Sequence, residues 1–280
     1  MSGADEIDFD RPEVAAHYDE LPLWSAPFGQ MILERVPLQL GQTMLDIGAG
    51  TGFLTVELAQ RSGAASRVVA VEPWHAAMDI LREKCRYLGL TNVEFSERDA
   101  ADLDRANDSV DVVVSNLGIN NFDDPASVLA ECHRVLRPGG TLLMTSNLVG
   151  HMVEFYDTYR DTLVALGHTD RLRSLDNEIN HRATTASTVA SLQRAGFEVT
   201  DTTTDSFTMR YVDGTSLLRH YFVGLGFSGG WRSVVDPPDV PTVFAELEQR
   251  LNDRAQAQGS LDLTIPMVCC TAVVPAQRLT

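Results

Sequence analysis

The feature that most constrains this chain is a glycine-rich turn between a strand-like run and a helix-like run. The apolar residues 43–47 predict a buried strand, and residues 53–60 predict a helix directly after the turn. The turn holds three alternating glycines, which are Gly48, Gly50 and Gly52. Because glycine has no Cβ, the backbone here can come close to a ligand. Strand, turn and helix in this order predict an α/β fold with a ligand site at the strand's carboxyl end.

An acid, Asp46, stands two residues before the first glycine. In the nicotinamide-dinucleotide fingerprint the second and third glycines are three apart, which lets a pyrophosphate sit on the helix N-terminus. Gly50 and Gly52 are only two apart, and a carboxylate at position 46 would repel a pyrophosphate. The same carboxylate can orient the amino end of a zwitterion. The turn therefore favours a ligand with an amino group over a dinucleotide.

The sequence Asp-x-Gly-x-Gly-x-Gly after a strand resembles motif I of the class I S-adenosylmethionine (SAM) methyltransferases. Further landmarks of that family follow in order. They are Glu72 at the end of strand 67–71, Asp99 after strand 93–96, Asn116 after strand 110–114, and Leu-Arg-Pro-Gly-Gly at 136–140. The resemblance implies that Glu72 accepts hydrogen bonds from both ribose hydroxyls and that Asp99 bonds the adenine amino group. It implies SAM as the cofactor, bound by Tyr18, Asp46, Gly48, Gly50, Gly52, Glu72, Pro73, Asp99, Ala100 and Asn116.

Strand and helix patterns alternate from residue 43 to 146, which predicts a parallel sheet covered on both faces. The resemblance implies a doubly wound, mostly parallel, seven-stranded Rossmann-like sheet with one antiparallel strand and a helical lid. We expect a single methyltransferase domain over residues 1–280. Its predicted parts are an N-terminal arm (1–38), a core (39–146, 184–212 and 261–280) and two lid insertions (147–183 and 213–260).

Both insertions follow carboxyl ends of strands, where open α/β sheets bind ligands. This layout resembles the ubiquinone/menaquinone C-methyltransferase-like group of small-molecule methyltransferases. Within it, residues 213–220 resemble a segment of the biotin-pathway malonyl carboxyl methyltransferases. The glycine-rich segment 224–230 is expected to give the second insertion a hinge.

Candidate catalytic residues lie on a helix predicted just after the fifth strand. His151, Phe155 and Tyr159 share one face of that helix, and His151 is the best candidate for a base. Tyr156 is the second catalytic candidate. An aromatic stripe at this spacing is also typical of an ordinary core helix, and both interpretations stay open. Five arginines could clamp an anionic acceptor, but in so acidic a chain each is expected to neutralise nearby carboxylates: Arg160, Arg171, Arg173, Arg182 and Arg219.

The formal net charge is −17, and Lys84 is the single lysine. Such a surface repels phosphodiester backbones, so nucleic acid is not expected as a partner. A high-GC genome and a salt-rich cytoplasm would each account for this composition. No apolar run is long enough to span a membrane, and no export signal is seen, so we expect a cytoplasmic protein without a membrane partner. The four cysteines lack zinc-ligand spacing, and no metal site is predicted.

We therefore expect a metal-independent SAM-dependent methyltransferase, monomeric or homodimeric, that acts on a small molecule. Among acceptor atoms, oxygen of a carboxylate or phenol ranks first, ring carbon second and nitrogen third. One alternative is a non-catalytic SAM-binding sensor or regulatory protein. Another is an enzyme that uses SAM for different chemistry on the same fold.

Overall fold

A computed structural model describes residues 8, 10–19 and 23–276 of the chain. Within these residues seven strands form one sheet, in the order β3-β2-β1-β4-β5-β7-β6. The strands are β1 (Thr43–Ile47), β2 (Arg67–Val71), β3 (Val93–Ser96), β4 (Val110–Asn116), β5 (Leu136–Asn147), β6 (Glu198–Tyr211) and β7 (Leu261–Val273). This mixed, Rossmann-like sheet confirms the predicted fold class.

Strands β1 to β5 run parallel to one another. In the register Ile47 pairs with Val71, Val71 with Ser96, and Asp46 with Val114. The carboxyl ends of β1, β2, β3 and β4 therefore meet at one edge of the sheet. Most residues in these strands are apolar, and those of β1, β2 and β4 are mostly buried, which suits a sheet that is covered on both faces.

Strand β7 lies between β5 and β6. The Gly139 amide donates to the carbonyl of Val274, and the Val274 amide donates to the carbonyl of Gly140. Antiparallel neighbours exchange hydrogen bonds in this reciprocal way. The C-terminal strand is thus antiparallel to β5 and lies next to the edge strand β6, which agrees with the one antiparallel strand that the resemblance implies.

The helices of the core flank this sheet, and two of them have a typical capping residue at one end. Asp124 caps its helix by accepting from the amides of Ala126 and Ser127, and Gly89 ends another in a left-handed conformation. These helices are α1 (Pro12–Asp19), α2 (Ala26–Leu33), α3 (Phe53–Ser62), α4 (His75–Leu88) and α5 (Pro125–Val135).

The described residues divide into two compact units. The insertion unit consists of residues 147–183 and 205–266, and the core unit holds the remaining described residues. Helices of the insertion unit are α6 (Val153–Ala165), α7 (Leu172–Asn180), α9 (Gly214–Arg219), α10 (Tyr221–Gly226), α11 (Ser228–Ser233) and α12 (Val240–Gln258). Helix α8 (Thr185–Arg194) belongs to the core unit and opens with a capping box at Thr184 and Ser187.

Two segments are more regular than their sequence suggests. Strand β6 runs over fourteen residues, from Glu198 to Tyr211. The glycine-rich segment 224–230 is largely helical, in α10 and α11, and the two helices meet at Phe227. Burial of Phe222 and Trp231 fixes these helices, although glycine disfavours helix. In the part of the chain that the structure describes, no helix is long and apolar enough to cross a membrane.

Candidate functional site

The glycine turn after β1 is held in a backbone conformation that favours glycine. Gly48, Gly50 and Gly52 have φ angles of 73°, 54° and 91°. The amides of Gly48 and Ala49 both donate to the carbonyl of Val71, at 2.9 and 3.2 Å. These bonds fix the turn to the carboxyl end of β2. Left-handed backbone is costly for residues with a Cβ, so the glycines are required by the fold of the turn.

The three glycines differ in what surrounds them. A Cβ on Gly52 would lie 2.1 Å from Cδ1 of Leu81, which is a side chain of α4. A Cβ on Gly48 would lie 3.3 Å from Cα of Gly118, in the loop after β4. A Cβ on Gly50 would meet nothing within 4 Å. Gly52 thus packs on α4, whereas Gly50 borders open space at the crest of the turn.

Glu72 places a carboxylate beside that open space. Its Oε2 accepts from the Gly50 amide at 2.8 Å, and its Oε1 accepts from the Trp74 amide at 3.0 Å. Each carboxylate oxygen can accept a further bond, so both remain able to bind hydroxyl groups. Burial raises the pKa of Glu72, and the two amide bonds oppose that shift. The two amides orient the carboxylate before any ligand arrives.

Asp46 is buried and lies within the electrostatic influence of Glu72. The hydroxyl of Thr55 donates to its Oδ2 at 2.6 Å. Burial raises the pKa of Asp46 to about 7; the Thr55 bond opposes this shift, and the charge of Glu72 adds to it. Asp46 therefore gives up its proton less readily than an exposed aspartate does. A nearby cation would favour the ionised form, so this acid suits a positively charged ligand group.

The other predicted residues at this edge have mixed surroundings. Asp99 is exposed in the loop after β3, and its Oδ1 accepts from the Ala101 amide at 2.7 Å. Ala100 is buried and Pro73 is exposed. Asn116 donates from Nδ2 to the carbonyl of Ser25 and accepts at Oδ1 from Thr145. The Asn116 side chain thus holds the start of α2 against the end of β4.

The N-terminal arm also reaches this edge of the core unit. The ring of Tyr18 contacts that of Trp74 edge to face, with centroids 5.4 Å apart. Burial, and then the charge of Glu72, raises the pKa of Tyr18. Next to it, Asp19 forms an ion pair with Lys84. The Lys84 ammonium donates in addition to the carbonyl of Thr51, at 2.9 Å. The single lysine therefore joins the arm to the glycine turn.

Sequence reasoning did not identify Lys84, Thr55 or Trp74 as parts of this site. Lys84 had one available signal, since it is the only lysine in the chain. Thr55 and Trp74 had none, because a threonine in a helix and a tryptophan after a strand are ordinary. Their roles depend on contacts that form only when α3, β2 and the arm come together.

The two candidate catalytic residues lie in the insertion unit, and both are buried. Trp231 is at the centre of an aromatic cluster that includes Tyr156. Its Nε1 donates to Oη of Tyr156 at 3.1 Å, and its carbonyl accepts from the hydroxyl of Tyr159 at 2.9 Å. Phe155 stacks on its indole, with ring centroids 3.9 Å apart. The aromatic stripe of α6 thus packs in the interior of its own unit.

His151 lies next to this aromatic cluster. Its ring centroid is 5.3 Å from that of Phe227. Burial lowers the pKa of His151 well below its ordinary value, and the charges of Arg182 and His181 add to this effect. The imidazole is therefore neutral at neutral pH and is a weak base.

The arrangement at the core edge can hold a ligand with three different chemical parts. Glu72 can accept from a pair of hydroxyls, Asp46 can favour a cation, and the open turn at Gly50 admits close backbone contact. SAM has ribose hydroxyls and carries positive charge on its ammonium and sulfonium groups. The residues present therefore fit this cofactor. Within the described residues, no group of three or more His, Cys, Asp or Glu side chains is placed to hold a metal ion.

Residues 45–144 match the model of a family described as a methyltransferase domain. The chain is 31% identical over 172 residues to a ubiquinone/menaquinone biosynthesis C-methyltransferase of Escherichia coli, covering 58% of this chain and 68% of that protein.

Solved structures share the fold at low sequence identity. A SAM-dependent methyltransferase from Aquifex aeolicus has a TM-score of 0.53 at 18% identity, covering 70% of this chain and 92% of that one. Phosphoethanolamine N-methyltransferase 2 of Haemonchus contortus, in complex with SAM, has a TM-score of 0.57 at 17% identity, covering 96% and 60%.

Proposed function

This chain belongs to the class I SAM-dependent methyltransferases, in the ubiquinone/menaquinone C-methyltransferase-like group, and we propose that it methylates a small molecule at oxygen or at a ring carbon. SAM is the cofactor, and it supplies an activated methyl carbon on a sulfonium. The protein has to bind it, align an acceptor within about 3 Å of the methyl group and exclude water.

The observation that carries this proposal is the position of the Glu72 carboxylate. It is held by the amides of Gly50 and Trp74, so it is oriented at the carboxyl end of β2 next to the glycine turn. We propose that it binds the two ribose hydroxyls. Asp46, two residues before the turn, would favour the cationic amino-acid end, and Tyr18 would close the site from the arm. Pro73, Asp99, Ala100 and Asn116 complete the proposed cofactor set.

The acceptor is proposed from the chemistry of the insertion unit and from the relatives. His151 is a weak base because burial lowers its pKa. A carboxylate or an ionised phenol needs no strong base, so we place oxygen acceptors first. The name of the E. coli relative describes methylation at carbon, which supports ring carbon as the second choice. His151 and Tyr156 remain the proposed acceptor-side residues.

We further propose that the protein works in the cytoplasm as a monomer or homodimer, without a nucleic-acid or membrane partner. The net charge of −17 supports the first exclusion, because a dense negative surface repels phosphodiester backbones. The acidic surface would likewise be repelled by anionic lipid headgroups.

Calorimetric titration with SAM, followed by transfer of isotope-labelled methyl groups to carboxylate, phenol and quinone-like acceptors, tests the proposal. We expect SAM to bind and at least one of these acceptor classes to be labelled. Binding without transfer to any class would instead support the alternative of a SAM-binding regulatory protein. Absence of SAM binding would refute the assignment of the cofactor site.

Replacing Lys84 by methionine is expected to weaken SAM binding about fivefold. The change removes a bond to Thr51 and the ion pair to Asp19. Each contact is partly exposed, so together they are worth about 1 kcal/mol. Calorimetry measures the affinity, and a thermal scan of the same variant separates loss of binding from loss of fold.

Arg86→Met is the matched control, because Arg86 is an exposed cation on the same helix that pairs with Glu83. It should leave the affinity unchanged, and Lys84→Arg should restore most of it. Because Lys84 is the only lysine, an amine-reactive reagent labels only this side chain and the N-terminus. SAM should slow the labelling of Lys84. Equal labelling rates with and without SAM would contradict a link between Lys84 and the bound state.

A further inference from the structure

Arg182 in the insertion unit differs from most arginines of this acidic chain. Arg160 and Arg171 form ion pairs with Asp176 and Asp236, as the sequence predicts. For Arg182 that prediction is wrong, because none of the described residues places a carboxylate oxygen within 4.0 Å of it. Arg173 and Arg219 likewise lack such a partner among the described residues.

The guanidinium of Arg182 is half-buried among aromatic and polar groups. Its Cζ lies 5.6 Å from the centroid of the Tyr156 ring. Its Nη1 donates to the carbonyl of Glu178 at 3.0 Å, while its Nε is buried without a hydrogen-bond partner in the described part of the chain. A partly desolvated cation with an unused donor is costly, and a cation–π contact offsets only part of that cost.

Arg182 shares its surroundings with two histidines, a tyrosine and one carboxylate, that of Glu178. His151 is neutral, since burial lowers its pKa. The carboxylate of Glu178 lies 3.8 Å from Nδ1 of His181, and its charge also acts on the phenol of Tyr156. Burial raises the pKa of Tyr156, which keeps the phenol protonated. Its oxygen accepts from Trp231, and its own hydrogen is left to donate.

An anion would satisfy this arrangement. A planar carboxylate matches the fork of a guanidinium, and a phenol donor beside it can bond a carboxylate oxygen. The ring of Tyr156 lies against the guanidinium, and Trp231, which stacks on Phe227, is hydrogen-bonded to Tyr156. Aromatic rings favour contact with another ring over contact with an aliphatic chain.

We propose that Arg182 and the Tyr156 hydroxyl bind the carboxylate of an aromatic acid, and that such an acid is the methyl acceptor. The role of this acid as methyl acceptor rests on the proposed function, whereas its binding by Arg182 and Tyr156 does not. Arg182 acts here as a specificity residue, because it selects an acceptor by charge.

Benzoate and benzamide are suitable probes, since they share a ring and differ in charge. Calorimetric titration of the full-length protein should show benzoate binding and much weaker binding of benzamide. Arg182→Gln should weaken benzoate binding by about tenfold or more, as expected for the loss of a charge-assisted bond. Arg182→Lys keeps the charge and should recover part of the affinity.

Arg173→Gln is the control, because it removes the same charge from an exposed position on α7. It should bind benzoate like the wild-type protein. Equal benzoate affinity in the wild type and in a folded Arg182→Gln variant would overturn the proposal. So would benzoate binding to the wild type no better than benzamide. Thermal scans establish folding, and Arg182→Lys provides the comparison if the glutamine variant does not fold.

SAM titration of the same proteins distinguishes a failure of this proposal from a failure of the proposed methyltransferase function. Arg182→Gln should bind SAM like the wild type. If the wild type fails to bind SAM, the proposed function fails while the benzoate result stands. If methyl transfer to acceptors occurs but is as efficient in Arg182→Gln as in the wild type, the acceptor assignment fails while the methyltransferase function stands.

Discussion

Replacing Glu72 by alanine is expected to weaken SAM binding at least about tenfold. A charged acceptor of two ribose hydroxyls is lost, which costs about 1.5–3 kcal/mol. The substitution also leaves the amides of Gly50 and Trp74 without their acceptor, so the turn itself becomes less ordered. Calorimetric titration with SAM and with its demethylated product measures the loss.

Glu83→Ala is the control for this experiment. Glu83 is an exposed acid of α4 that forms an ion pair with Arg86. Its removal changes the net charge by the same amount as the removal of Glu72. Its SAM affinity should equal that of the wild type. Glu72→Gln keeps one acceptor oxygen, so its SAM affinity should lie between that of the wild type and that of Glu72→Ala. A folded Glu72→Ala variant with wild-type affinity would show that the cofactor site has been placed on the wrong strand end.

The sheet and the cofactor edge could be predicted because their signals are local in the sequence. Strand and glycine turn are adjacent in the chain, and parallel strands place their carboxyl ends at one edge. Glu72 therefore had to lie near Gly50 once both strands were recognised. The hydrogen bond between Gly50 and Glu72 joins two residues that are 22 positions apart in the sequence.

The insertion unit could not be predicted to the same degree. The family-model match ends at residue 144, before this unit begins. The helical spacing of His151, Phe155 and Tyr159 predicted a shared helix face, which is wrong for His151, because it lies in the turn before α6 (Val153–Ala165). The spacing could not indicate that Trp231, far along the chain, would meet that face. The glycines around Phe227 suggested a hinge, because glycine has a low helix propensity. Helix propensity is a local property and does not include the side-chain burial that stabilises the helices on both sides of Phe227.

The sequence predicts where Asp46 lies, but it does not predict its burial or its pKa. The motif indicates an acid close to the cofactor's amino end. Only the fold shows that it is buried with Thr55 and sensitive to the charge of Glu72. Its pKa of about 7 makes its charge depend on its neighbours, so ligand charge and Asp46 ionisation are coupled.

Gly52→Ala is expected to destabilise the fold by about 2–5 kcal/mol. A left-handed backbone costs a residue with a Cβ about 1–2 kcal/mol, and overpacking adds about 1–3 kcal/mol. Both apply here, because φ is 91° and the new Cβ would lie 2.1 Å from Cδ1 of Leu81. Denaturant unfolding measures the change. Gly50→Ala is the matched control, since it has a positive φ but no neighbour within 4 Å, and it should cost only the backbone part.

The steric part can be isolated by shortening Leu81. Leu81→Ala alone should cost about 2–5 kcal/mol, because a fully buried leucine is lost from the core. In the double variant, the alanine at position 52 occupies space that the leucine has left, so the two costs should not add. The double variant should be more stable than their sum predicts by about 1 kcal/mol or more. If the two costs were strictly additive, the glycine turn would not pack against Leu81 of α4, contrary to the short distance in the structure.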